Sequence, residues 1–281
     1  MKEIHVERII QTVENLCIQA ACNLGEDVEE LIRQSLDQEE SEFGKYIITQ
    51  ILDNIALARN ENTAMCQDTG VAVLFVEIGQ DVHVVGGSLV EAINEGVRRG
   101  YTKGFLRKSV VADPLFRRQN TGDNTPAIIH VEVVTGDELR LIVLPKGVGG
   151  ENMGALKMLT PSAGIEGVKD FILNTVLQAG GNPCPPIIVG VGIGGTMEKA
   201  TILAKKALTR KAGRSNPDPD YADLEQTLLT EINKSGIGPQ GLGGRVTALA
   251  VHIESFPTHI GGLPVAVNLN CHASRHAEAV L

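Results

Sequence analysis

Apolar residues recur at three- and four-residue steps through residues 3–59: Ile9, Ile10, Val13 and Leu16, then Leu31 and Leu36, then Ile47, Ile48, Ile51 and Leu52. That spacing gathers them on one face of a helix and predicts successive amphipathic helices. Asp27 with Glu30 reads as a capping box at the start of the second. The texture then changes. VAVLFVEI (71–78) and DVHVV (81–85) are β-rich runs joined through Gly79–Gln80, which predicts a hairpin. SLVEAINEGVRRG (88–100) is helical, with Ser88 and Glu91 as its capping box. AIIHVEVV (127–134) and LRLIVLP (139–145) alternate across the turn TGDE and predict a second hairpin.

Further on, residues 161–179 are helical in pattern, IIVGVGI (187–193) is a buried-strand run, and residues 196–209 are helical again. KAGRSNPDPDYA (211–222), rich in Pro, Asp and Gly, reads as an exposed loop. Residues 222–234 have a helical pattern, and VTALAVHI and PVAVNLN have strand patterns. Nothing repeats at a fixed period. The reading is an α/β chain with mixed sheets containing antiparallel pairs, preceded by an N-terminal helical block. We expect one domain over 1–281, with the helical block at 1–60 and the chemistry at 61–281.

The chain has 281 residues, 43% of them apolar, which supports a proper core and excludes a disordered chain. With 25 Lys+Arg against 34 Asp+Glu it is acidic, so it lacks the electrostatic footprint of a nucleic-acid binder. MKEIHVERII mixes charges with apolar residues and lacks the apolar stretch of a secretion signal. The apolar run Val71–Val76 is far short of the roughly 20 residues that cross a bilayer. The expectation is a cytoplasmic protein without a membrane partner. Five cysteines, an odd and scattered set, read as thiols rather than a disulfide framework.

Glycine concentrates in loops at 147–154, 190–195, 236–244 and 261–262, where backbone can approach a ligand or simply turn. Gly190, Gly192 and Gly195 match G-x-G-x-x-G, the turn of a dinucleotide-binding oxidoreductase. The acid that should follow about 20 residues on at a strand end is missing, because KKALTRKAGRSNPDPD stands there. Cys17 and Cys22 fall in the first helix and read as small buried hydrophobes. Cys66 in MCQDTG, Cys184 in NPCPP and Cys271 in NLNCHA each stand at non-helical punctuation. Three thiolates there are either buried cysteines or ligands to three corners of an iron–sulfur cluster. Asp68 and Gln67 lie beside Cys66, and His259 precedes Cys271 in THIGGLP. Singly, Asp68 reads equally as a turn former and His259 as a satisfied loop histidine. Together with a Lewis-acidic iron they read as proton-handling and carboxylate-holding groups.

At these residues the chain resembles the class I, iron–sulfur-dependent fumarate hydratase family, specifically the alpha subunit of its two-chain form, shared with L-tartrate dehydratase. The matching strings are CQDTG (66–70), RKSVVADPLFRRQNTGDNTPA (107–127), PKGVGGENMG (145–154), NPCPPIIVGVGIGG (182–195), GPQGLGGRVTALAV (238–251) and THIGGLPVAVNLNCHASRH (258–276). The resemblance implies a [4Fe–4S] cluster held by Cys66, Cys184 and Cys271. It implies substrate carboxylates held by Gln67, Arg107 and the backbone at Gly149 or Gly150, with Asp68 and His259 in the active site. Arg107 on its own would equally be a surface ion-pair partner. Reversible hydration of fumarate to malate is the expected reaction, with L-tartrate dehydration as the alternative. The sequence stops at Leu281, soon after the third cysteine, so a separate beta subunit is expected to complete the pocket, in a dimer of alpha–beta pairs.

Overall fold

The computed structural model of the chain describes residues 2–281. Its first half runs β1 (Lys2–His5), α1 (Val6–Cys22), α2 (Glu26–Gln38), α3 (Glu42–Glu61), β2 (Val71–Gly79), β3 (Val82–Val85), α4 (Leu89–Lys103), β4 (Ile128–Val134) and β5 (Leu139–Lys146). Its second runs α5 (Val148–Glu151), β6 (Ala155–Leu159), α6 (Gly164–Ala179), β7 (Ile187–Gly194), α7 (Met197–Ala207), α8 (Pro219–Ile232), β8 (Ala248–Phe256), β9 (Leu263–Asn270) and β10 (Ala277–Val280). The class is α/β with mixed sheets, behind a helical start in α1, α2 and α3. Two compact units emerge: one gathers residues through Leu24, Ile55–Val148 and Arg275–Leu281, the other Gly25–Asn54 and Gly149–Ser274.

The first unit holds a sheet in the order β10-β5-β2-β4, with β5 antiparallel to both its neighbours and β2 parallel to β4. A parallel pair, β1 with β3, completes its strands. Neither expected hairpin forms. β2 inserts between β4 and β5, and β3 pairs with β1 instead of β2. The two turns lock into each other: Gly79 N–H donates to Glu138 O, Gln80 N–H to Val134 O and Asp81 N–H to Gly136 O. Gly79 permits this, since a Cβ there would lie 2.3 Å from Gly136 O. β2 is buried from Ala72 to Val76, and such a strand uses partners on both edges.

Helix α1 crosses α4 closely because Gly96 and Gly100 face it, one turn apart. A Cβ at Gly96 would lie 2.6 Å from Val13 Cβ, and one at Gly100 would lie 2.8 Å from Cys17 Cβ. Ile9, Val13, Cys17 and Ala20 are fully buried in this core. Ser88 caps α4 as expected, its Oγ accepting the Glu91 N–H at 3.4 Å. Asp27 does not cap α2: Gly25 is the N-cap, and the Asp27 carboxylate accepts the Ala212 N–H at 2.6 Å.

The second unit holds a sheet in the order β6-β9-β7-β8, with β9 antiparallel to β6 and β7, and β7 parallel to β8. Val168, Ile172 and Val176 of α6 and Leu228 and Ile232 of α8 share a core with Val189, Val191, Ile253 and Val267. Gly190 and Gly192 lie inside β7 and not in a strand-to-helix turn. A Cβ at either would meet a main-chain oxygen of α7, Ala204 O at 2.2 Å or Ala200 O at 2.0 Å. These glycines let a helix press on a strand, and the dinucleotide-binding reading falls. No helix among the described residues is long and apolar enough to cross a membrane.

Glu39, 2% exposed, follows α2 and holds the far end of this unit's glycine-rich loop. Its carboxylate accepts the N–H groups of Glu40, Ser41, Arg245 and Val246 at 2.8 to 3.0 Å. Burial pushes the carboxyl pKa up, but the Val246, Arg245, Ser41 and Glu40 donors outweigh it and leave it below its ordinary value. Its stabilisation is therefore present above the unfolded-chain pKa and lost as pH falls through the lowered folded value. In denaturant melts of the metal-free chain, Glu39→Gln should cost about 2 kcal/mol at neutral pH, the scale of a hydrogen bond to a charged group. The gap to the wild type should close as pH drops below about 4.

Candidate functional site

In the first unit the CQDTG segment is a loop with no ladder partners, and its shape is set by side chains aimed at its backbone. Asp68 Oδ1 accepts the Gly70 N–H at 3.1 Å, and Oδ2 accepts the Val148 N–H at 2.7 Å. The Tyr101 hydroxyl donates to Thr69 O at 2.7 Å, Asn124 Nδ2 donates to Gly70 O at 3.1 Å, and the Arg275 guanidinium donates to Asp68 O. Tyr101 is fully buried, and that burial holds its phenol protonated well above the usual range. Thr69 Oγ1 donates to Arg107 O at 2.9 Å, which ties the RKSVV segment to the loop. The structure thus brings Cys66, Gln67, Asp68 and Arg107 together. Cys66 is half-buried with its Sγ 3.6 Å from Gln67 Oε1, and Gln67 and Arg107 are exposed.

The other site residues belong to the second unit. Cys184 is exposed in the turn before β7, in the left-handed region at φ +54°, its N–H donating to Gly181 O. Cys271 is half-buried just after β9. The next residue joins the two segments: His272 N–H donates to Cys184 O at 3.2 Å. Gly149 lies beside the same turn, since a Cβ there would be 3.2 Å from Asn182 O. Gly149 and Gly150 sit in α5, which Glu151 anchors by accepting from Lys205 Nζ at 2.7 Å and Asn268 Nδ2 at 3.0 Å. His259 is exposed on the β8–β9 connection, where its Nδ1 accepts the Gly261 N–H at 3.1 Å. That bond does not join it to either cysteine segment.

The five thiols, none bridged to another, sort into two kinds. Cys17 and Cys22 are buried in α1; burial pushes the Cys17 thiol up to about 12 and raises Cys22 as well. Cys66, Cys184 and Cys271 are solvent-accessible and stand in loops. Thiolates at loop positions are the donor set of an iron–sulfur cluster, which takes one thiolate per iron. Among the described residues, no three His, Cys, Asp or Glu side chains gather as a single-ion site. Three accessible thiols in loops have the donor chemistry that such a cluster takes. Gln240, His272, Glu151, Asn124 and Tyr101 were missed as site residues. Gln240, His272 and Glu151 stand inside or beside the glycine-rich and cysteine strings, whereas Asn124 lies in the segment 107–127 and Tyr101 in α4, with no mark of their own in the sequence.

Residues 10–280 match the family model described as fumarate hydratase (Fumerase). A putative L(+)-tartrate dehydratase subunit alpha of Methanocaldococcus jannaschii is 44% identical over 275 residues, covering 96% of each chain. L(+)-tartrate dehydratase subunit alpha of Escherichia coli UTI89 is 35% identical over 276 residues, covering 98% of this chain and 91% of that one. The K12 protein of the same name is 34% identical over 282 residues, covering 100% and 93%.

The sorting of the thiols has a direct readout. Brief alkylation of the folded, metal-free chain, mapped by mass spectrometry, should label Cys184 first and Cys66 and Cys271 more slowly. Cys17 and Cys22 should react only after denaturation, since burial removes both access and thiolate.

Proposed function

This chain belongs to the fumarate hydratase family and is a hydro-lyase, and from that premise we propose that it is the cluster-holding alpha subunit of a two-chain enzyme acting on a C4 dicarboxylate. The observation that carries the reading is the sorting of five thiols into two buried helical ones and three accessible ones in anchored loops. Cys66, Cys184 and Cys271 hold a [4Fe–4S] cluster. When bound, it supplies a Lewis-acidic iron that stabilises the negative charge developing on a leaving hydroxyl.

The remaining roles fall to side chains. Arg107, with an exposed planar guanidinium, suits bidentate binding of one substrate carboxylate. Gln67 and the backbone at Gly149 and Gly150 hold the dicarboxylate in register. Asp68 is the proton acceptor, since a carboxylate with one backbone donor on each oxygen keeps half its lone pairs. His259 is the proton donor: its Nδ1 accepts the Gly261 N–H, so the neutral ring carries its proton on Nε2.

Relatives bear the name subunit alpha, which supports a beta subunit as partner, in a dimer of alpha–beta pairs. Unbridged thiols suit a reducing compartment, so we place the enzyme in the cytoplasm. Fumarate hydration is the first reading, from the family. L-tartrate dehydration is the second, favoured by the names of the relatives.

Anaerobic reconstitution tests the whole reading. The chain should take up about four irons; Cys66→Ser, Cys184→Ser and Cys271→Ser should each lose the cluster absorbance, and Cys17→Ser and Cys22→Ser should keep it. With a beta subunit added, fumarate hydration and L-tartrate dehydration are assayed side by side, and the faster reaction names the substrate. His259→Asn should keep the cluster and lose about a hundredfold in turnover; Asp68→Asn should lose as much turnover and, by giving up one of its two main-chain bonds, also loosen the loop that carries Cys66. Arg107→Ala should mainly raise KM. Full iron in any of the first three serine variants sinks the ligand assignment, and full turnover by the chain alone sinks the partner.

A further inference from the structure

The glycine-rich loop at 236–244 contains a side chain whose contacts all run to the segments around Cys184 and Cys271. Gln240 lies in GPQGLGG at φ +54°, a left-handed conformation that glycine adopts freely and glutamine rarely does. The loop has glycine at 236, 238, 241, 243 and 244, so a side chain held at this strained position marks what the loop presents. Its backbone N–H donates to Pro185 O at 2.7 Å. Its Nε2 lies 2.9 Å from Pro185 O and 3.0 Å from His272 Nδ1. Pro185 O thus accepts from both the main chain and the side chain of Gln240, and the same amide meets the His272 ring nitrogen, which also lies 3.2 Å from Cys184 O.

The loop reaches this place because two glycines meet: a Cβ on Gly241 would lie 2.4 Å from Gly181 Cα, at the start of the turn that carries Cys184. His272, which meets Gln240 through Nδ1, gives its main-chain N–H to Cys184 O at 3.2 Å, and its Nδ1 lies 3.2 Å from the same oxygen. One amide thus joins three pieces of chain: the residue after Cys184, the residue after Cys271, and the glycine loop.

We propose that Gln240 is a positioning residue for the cysteine ligands, acting through Pro185 and His272 to hold the Cys184 and Cys271 segments in one arrangement. It rests on the proposed function for the identity of the ligand, and on the hydrogen bonds alone for the positioning. Outer-sphere partners of this kind typically change metal affinity or activity by about 10–100-fold when removed. Gln240 touches neither substrate nor cluster in this role.

The test has two arms. In the first, wild type and Gln240→Met are reconstituted anaerobically and iron loss to a ferrous chelator is timed, with the electron paramagnetic resonance spectrum of the reduced cluster recorded. Gln240→Met should lose iron about tenfold faster and show a shifted spectrum. His272→Phe should do the same, and the double variant should be no worse than either single one, because both act through one contact.

In the second arm the metal-free chains are alkylated. Gln240→Met should alter the labelling rates of Cys184 and Cys271 and leave Cys66 as in the wild type, a selectivity that general destabilisation would not give. If Gln240→Met fails to melt cooperatively, Gln240→Glu takes its place, keeping the length of the side chain while removing both donors. Wild-type rates in both arms overturn the positioning role, as do additive losses in the double variant. A wild-type chain that takes up no iron instead overturns the cluster reading, and the alkylation arm still decides the positioning.

Discussion

Main-chain N–H groups in a loop have no ladder to pair with, and each one buried without a partner costs about 1–3 kcal/mol. This chain places its accessible cysteines in such loops and meets the constraint with side-chain acceptors. Glu39 takes the N–H groups of four residues, Asp68 takes those of Gly70 and Val148, and Asn233 Oδ1 takes those of Thr247 and Ala248. Against a typical net stability of about 5–15 kcal/mol, the Glu39 contacts alone are a large share. The polar residues near the cysteines are in good part the means by which irregular backbone is kept in one shape.

Glycine works at the same problem from the opposite side. At 96, 100, 190 and 192 its missing Cβ brings helices against a helix or strand. At 70 and 241 it lets loop backbone meet other backbone at distances that a side chain would forbid. A cysteine or glutamine at positive φ amid such loops, as at Cys184 and Gln240, is held there by its contacts and not by its own preference.

Most elements were legible in the sequence, the short strands β1, β6 and β10 excepted, and pairing was not. A β-rich run marked β2 and alternation marked β4 and β5, but neither says which strand lies beside which, and the two turns that looked like hairpins interlock instead. The helical reading of 3–59 is wrong at its start, where Lys2–His5 is a strand held by pairing with β3. Asp27 had the spacing of a cap and went to Ala212, a partner far away in the chain. The split among the cysteines was readable because helical periodicity puts Cys17 on the buried face with Val13 and Ala20. Gln240 and His272 were not readable as site residues, since what distinguishes them is a contact across 32 positions.

Asp68 shows how structural and chemical demands meet in one residue. Its two oxygens accept from two N–H groups on different segments, so only a side chain with two acceptors satisfies the loop. An asparagine would turn an NH2 toward one of those donors, leaving two hydrogens facing each other. A carboxylate is therefore required here by backbone pairing before any reaction is considered. The same pairing fixes the direction of its remaining lone pairs, because each oxygen is held by its own donor. A proton acceptor that cannot rotate needs no reorganisation at the moment of transfer, and preorganisation of that kind lowers a barrier. The fold's need to bind two stray amides thus supplies the rigidity that the proposed proton-handling role of this carboxylate requires.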